Sequence, residues 1–192
     1  MNKYRELLEM LNIESNFETY EIYLWGTNIC RNNDESNFIE KLISVSDLFN
    51  EDASKRTETD VIMKLKDKLV FIEVKYLSPN DLKSDKERFK KYLVSDVSEK
   101  EVFESEHYEL FRNWAFASKL SNGDNFELIN LAPSKLFEDK NRDKLYQFEN
   151  SLKSTKGIFR KLSWEKILEK VKNGEYEMWF RNYLEQKIKD SL

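Results

Sequence analysis

The chain has 192 residues, 36 of them Asp or Glu and 32 Lys or Arg, for a net charge of −4. A single His and a single Cys exclude internal disulfides, Cys-rich zinc sites and any centre that needs two His from this chain. Four scattered Gly exclude a dinucleotide fingerprint or a phosphate-cradling glycine loop, and no apolar run approaches the ~20 residues that span a bilayer.

Tyr4, Leu7, Leu8 and Leu11 recur at helical spacing, so an amphipathic helix opens the chain. Residues 20–25 alternate bulky β-formers and read as a strand ending at Gly26. A helix is expected over 36–49, with Phe38, Ile39, Leu42, Ile43 and Val45 as its apolar stripe and Asp34 or Ser36 as its cap. Residues 57–76 carry the clearest β signal, two apolar runs joined at Lys66-Asp67-Lys68 as a hairpin. The charged stretch 77–100 reads as a loop holding a turn at Ser78-Pro79-Asn80-Asp81 and a short helix near 85–93. A helix over 105–120 stops at Asn122-Gly123-Asp124 and is followed by a strand, 126–131. Beyond it come a polar helix over 135–151, a helix over 164–172 capped by Ser163, and a last helix carrying Trp179, Phe180, Tyr183, Leu184 and Ile188. The N-terminus has no secretory h-region. The expectation is therefore a cytoplasmic, single-domain α/β protein with a mixed sheet flanked by helices. Its core lies at about 36–131, with an N-terminal extension over 1–35 and a helical C-terminal one over 132–192.

The hairpin concentrates the chemistry. If Asp67-Lys68 is its two-residue loop, Lys66 pairs with Leu69, Ile62 with Glu73 and Asp60 with Lys75. Strand alternation then sends Asp60, Glu73 and Lys75 to one face and the Val, Ile, Met and Leu set to the other. An acidic-x-Lys triplet is common in so charged a chain, but only Glu73-Val74-Lys75 lies inside an apolar β-run with an Asp opening the strand before it. Charge on a central strand is costly unless paired or bound to a metal. The competing reading is a solvated hairpin face with ordinary cross-strand pairs.

Asp60, followed after twelve residues by Glu73-Val74-Lys75, resembles the PD-(D/E)XK nuclease superfamily, whose restriction-endonuclease-like core runs α-β-β-β-α-β; Thr59 stands where that motif's name has Pro. The resemblance covers about 36–131 and leaves the first core strand unplaced, with 53–57 as the room immediately before Asp60. It implies a Mg²⁺-dependent endonuclease acting on DNA, with Mn²⁺ as a substitute cation. Asp60, Glu73 and the Val74 carbonyl would be metal ligands, because hard cations take oxygen donors. Lys75 would orient or deprotonate the attacking water or stabilise the transition state, with a pKa depressed by burial and the cation. Family members often carry a further helical Glu; Glu40 is the candidate, against the alternative of a solvated helix residue, and Glu58 could serve instead. The alternative function is a catalytically silent relative that binds nucleic acid or protein, and a third reading is an unrelated interaction module.

Arg112 is a candidate phosphate or carboxylate partner beside the site. Lys153, Lys156, Arg160, Lys161, Lys166, Lys170 and Lys172 stand against only Glu165 and Glu169. This most basic window is a candidate DNA contact, with a solvated Lys/Glu face as the alternative. His107 reads as a surface residue and Cys30 as an inert thiol. The aromatics from Tyr176 to Tyr183 read as core or as the surface of a homodimer.

Overall fold

Alternation of apolar side chains along the strands builds one six-stranded sheet with both faces covered. The computed structural model describes residues 3–14, 20–30, 36–52, 59–76, 80 and 82–191. Helix α1 (Lys3–Met10) leads into strands β1 (Tyr20–Leu24) and β2 (Thr27–Asn28), helix α2 (Ser36–Leu48), and the hairpin of β3 (Val61–Leu65) and β4 (Lys68–Val74). Short helices α3 (Lys86–Lys90) and α4 (Glu99–Ser105) precede α5 (Tyr108–Ser121) and β5 (Asn125–Ala132). A 3₁₀ turn at Ser134–Phe137 leads to α6 (Asp139–Ser151), β6 (Gly157–Ser163), α7 (Trp164–Asn173) and α8 (Met178–Ser191).

The strand order is β2-β1-β3-β4-β5-β6; pairing is antiparallel from β2 to β4 and parallel from β4 to β6. Period 2 sorts the core into two layers. Phe71, Ile62, Leu69, Phe126 and Leu128 pack with α2, α3, α5 and α6, centred on Phe111, Trp114 and Phe148. Val70, Ile72, Met63, Ile129 and Leu131 pack on the other side with α1, α7 and α8, through Leu8, Ile167, Val171 and Leu184. The expected α-β-β-β-α-β order is present as α1-β1-β3-β4-α5-β5. Its first strand is β1, antiparallel to β3, so α2 is an insertion between the first and second core strands. Residues 53–57, the room suggested for that strand, Asp34, and the Ser78, Pro79 and Asp81 of the expected turn lie outside the described residues.

Three local differences have physical causes. The hairpin register is Val61 with Ile72 and Lys64 with Leu69, so Lys66-Asp67 forms the loop rather than Asp67-Lys68. The register moves by two along one strand, which preserves parity and leaves each side chain on its expected face. The helix expected over 105–120 starts at Tyr108 instead, because Glu106 adopts φ 58° and ends the separate helix α4 at Ser105; Asn122, at φ 51°, ends α5 as anticipated. Strand β6 falls within the C-terminal segment expected to be helical. It is a sheet edge, where Lys and Arg are common because they discourage pairing with other chains, and its charges hide the alternation of Ile158 and Leu162.

Candidate active site

Glu73 and Val74 end β4, and Lys75 follows at the carboxyl end of the parallel strands, where open α/β sheets characteristically bind ligands. Asp60 sits immediately before β3. Extending the hairpin register places it across from Glu73, two residues from the expected partner Lys75. The side chains meet. Asp60 Oδ2 accepts the Val74 N–H at 2.8 Å, and Oδ1 accepts the Trp25 indole N–H at 3.1 Å. Trp25-Gly26 forms the two-residue β1–β2 turn with φ of 45° and 73°, a conformation that suits Gly and strains a bulky residue. The Trp25 ring is 62% exposed beside the carboxylate.

Lys75 Nζ lies 2.7 Å from Glu73 Oε1 and 2.7 Å from Glu109 Oε2, bridging strand and helix. Glu73 Oε2 accepts the Asn113 amide at 2.8 Å, and Asn113 Oδ1 accepts the Thr59 hydroxyl at 2.9 Å. Glu109 and Asn113 are four apart and so share one face of α5. The side chain of Glu73 is nearly enclosed, and burial raises its pKa above the usual carboxylate value. Lys75 pulls the value down, the Asp60 and Glu109 charges push it up, and the net direction is upward. Burial alone would lower the Lys75 pKa, but Glu73 and Glu109 outweigh it and the net shift is also upward. The direction is opposite to the expected depression: Glu73, inside the motif, and Glu109, outside it, both favour the ammonium form.

The structure does not bring every candidate together. Glu40 is exposed on α2, and Asp60 and Glu109 are the carboxylates that act on Glu73; Glu58 lies outside the described residues. Arg112 is 3% exposed and grips Glu51 through Nε at 2.7 Å and Nη2 at 3.1 Å, which makes it the carboxylate partner of the two options. Tyr92 and Ser46 donate to the same carboxylate at 2.6 and 3.0 Å. Arg160 is paired with Glu127 and donates to the Leu11 carbonyl at 3.0 Å, and Lys161 pairs with Glu149 at 2.8 Å. Lys153 and Lys156 are exposed just before β6, at the end of the parallel strands opposite Glu73.

Sequence reasoning missed Glu109 and Asn130. Glu109 is one acid of a run that includes Glu99, Glu101, Glu104 and Glu106, and its spacing from Asn113 was the available signal. Asn130 pairs in register with Glu73, is fully buried, and among the described residues has a hydrogen-bond partner at neither end of its amide.

A divalent cation suits this donor set in its chemistry. Glu73 and Glu109 share the Lys75 ammonium, and Asp60 adds a third carboxylate close enough to raise the Glu73 pKa. In an extended strand N–H and C=O share an edge, so the Val74 carbonyl faces Asp60 as its N–H does. No group of three or more His, Cys, Asp or Glu forms a closed ligand cage among the described residues, so protein ligation would rest on two carboxylates and a main-chain oxygen. That is the partial ligation Mg²⁺ accepts while keeping several waters.

Among the described residues no helix is long and apolar enough to cross a membrane. Neither a curated protein nor a solved structure matches the chain. A family model does, over residues 29–187, a span that holds α2, the β3–β4 hairpin, α5 and the parallel strands. With most of its length inside that match, the chain belongs to the family described as restriction endonuclease associating with ARP.

Proposed function

We propose that the protein is a Mg²⁺-dependent endonuclease that hydrolyses DNA phosphodiester bonds at Asp60, Glu73 and Lys75. The observation that carries this reading is the convergence of the three at the carboxyl end of β4, with Lys75 held 2.7 Å from both Glu73 and Glu109. Asp60, Glu73 and the Val74 carbonyl would hold the cation, which when bound supplies charge neutralisation at the phosphate and a water of lowered pKa. Two carboxylates keep Lys75 in its ammonium form, which suits it to orient the attacking water and to offset charge building on the phosphoryl oxygens. Asn113 fixes the orientation of Glu73, and Thr59 fixes that of Asn113. One water is consumed per bond, leaving a phosphate monoester at one end and a hydroxyl at the other.

Of the exposed lysines in the basic window, Lys153 and Lys156, both just ahead of β6, are the proposed backbone contacts. Lys156 lies the length of β6 and two strand spacings from the site, about 25 Å by strand geometry, which is less than one duplex turn of ~34 Å. One bound duplex can therefore touch both.

The test is incubation with plasmid, single-stranded and branched DNA in Mg²⁺, Mn²⁺ or EDTA. Cleavage is expected with either metal and not with EDTA, and Asp60→Ala and Lys75→Ala should each lose at least about 100-fold. The proposal fails if no substrate is cut, or if both variants cut like the parent. In calorimetry, Mn²⁺ should bind at a site that Glu73→Ala weakens.

A further inference from the structure

A cavity of about 220 Å³ lies between α2, α5 and the start of β3, and the proposed cleavage chemistry does not use it. Ile39, Leu42 and Ile43 of α2 line it together with Phe116 of α5, and Ser46 and Thr59 bring hydroxyls to it. We infer that this cavity receives a nucleobase bearing an exocyclic amino group, turned out from a strand whose phosphate lies at Asp60 and Glu73. The inference rests on the nuclease reading.

The cavity is continuous with the site. Thr59 is the chain neighbour of Asp60 and bonds the Asn113 that holds Glu73. Gly26, also in the lining, follows Trp25, whose indole bonds Asp60. A nucleotide with its phosphate at the carboxylates therefore has the cavity within reach of its own base. The volume and the aliphatic and aromatic walls suit a flat heterocycle, and enzymes that take a base out of the stack hold it in such a pocket.

The polar atoms indicate which base. Both carboxylate oxygens of Glu51 are engaged, by Arg112, Tyr92 and Ser46, so the buried ion pair shapes the wall and its acceptor sites are taken. The Ser46 hydroxyl spends its proton on Glu51 at 3.0 Å, and the Thr59 hydroxyl spends its proton on Asn113 at 2.9 Å. Each oxygen is left as an acceptor. Two acceptors favour a ligand edge that donates two N–H bonds, as the amino groups of adenine, cytosine and guanine can, whereas thymine offers only its N3–H between two carbonyls.

The test uses ligand-observed NMR on the full chain in EDTA, with dAMP, dCMP, dGMP, dTMP and deoxyribose 5-phosphate as probes. At least one amino-bearing nucleotide is expected to bind about tenfold more tightly than dTMP, the worth of one or two hydrogen bonds, and deoxyribose 5-phosphate should give no base-dependent signal. Ile43→Trp, at a partly exposed lining position, should block binding with unchanged thermal melting, and Ser46→Ala should erase the preference over dTMP. The inference is overturned if deoxyribose 5-phosphate binds as well as the nucleotides, if none binds, or if neither Ile43→Trp nor Ser46→Ala alters binding. Plasmid cleavage without nucleotide binding defeats this inference alone. Nucleotide binding without cleavage of any DNA defeats the nuclease reading and leaves the base site standing.

Discussion

At Glu73, burial opposes the charge that the proposed chemistry needs. Its folded pKa lies above the unfolded value, so the native state holds the extra proton in that window and stability falls as pH rises through it. Glu73→Gln is expected to raise the melting temperature at pH 7 while ending cleavage, and the gain should shrink as pH drops below the unfolded carboxylate value. Glu109→Gln removes one of two carboxylates from Lys75, so the Lys75 pKa should fall and the alkaline limb of the cleavage pH profile should move to lower pH. Arg112 and Glu51 behave differently. Burial pushes the Glu51 pKa up, but Arg112, Tyr92 and Ser46 outweigh it and hold it below the usual carboxylate range. That stability is present above the unfolded value and is lost as pH falls through the folded one. Arg112→Ala leaves a buried charge unpaired and should cost about 3–5 kcal/mol in urea denaturation at pH 7, with the penalty narrowing in acid.

Among the elements, β6 has two roles. Arg160 ties it to Glu127 of β5 and to the carbonyl of Leu11 just past α1, while Gly157 lets its start pass close beneath Trp114 and Phe126. A Cβ at position 157 would come within 2.6 Å of the Trp114 ring, so Gly157→Ala should destabilise by about 1–3 kcal/mol in the same assay. Just ahead of the strand, the Lys153→Ala/Lys156→Ala double variant should weaken DNA binding and reduce the slope of log affinity against log salt by about two. The rate of cutting once DNA is bound should not change, because neither lysine lies at the carboxyl end of β4. The β3–β4 hairpin shows why its polar face was legible. Period 2 fixes faces even when the loop is misplaced, since any two-residue loop keeps opposed residues in the same relation.

Across the whole molecule, His107 couples folding to pH. It is 3% exposed against Phe148, where the sequence suggested a surface residue, and neither ring nitrogen has a partner among the described residues. Burial, helped by the Lys144 charge, lowers its pKa from 6.5 to about 4. The stability is present above the unfolded value and is lost as pH falls from 6.5 toward 4, by about 3 kcal/mol. Melting curves from pH 7 to 4 should show this loss, and His107→Phe should remove most of it. If the variant keeps the full acid dependence, the cause lies in the carboxylates instead.

The sequence alone determined the elements whose signal is local. The α2 stripe, the Ser163 cap, the Asn122 stop and the faces of the hairpin follow from periodicity and backbone preference. It also determined which residues of the strand motif stand together, because Asp60, Glu73 and Lys75 are joined by one hairpin. Tertiary structure decided the rest. β1 became the first core strand because β3 needed an antiparallel partner 40 residues away in the chain. Glu109 and Asn130 came beside Glu73 and Lys75 because α5 and β5 pack against β4; the spacing of Glu109 from Asn113 shows that they share a helix face, and only the packing shows what that face meets. Arg112 found a buried carboxylate, and His107 a buried ring, for the same reason: a charge run reads as solvated until the packing that encloses it is known.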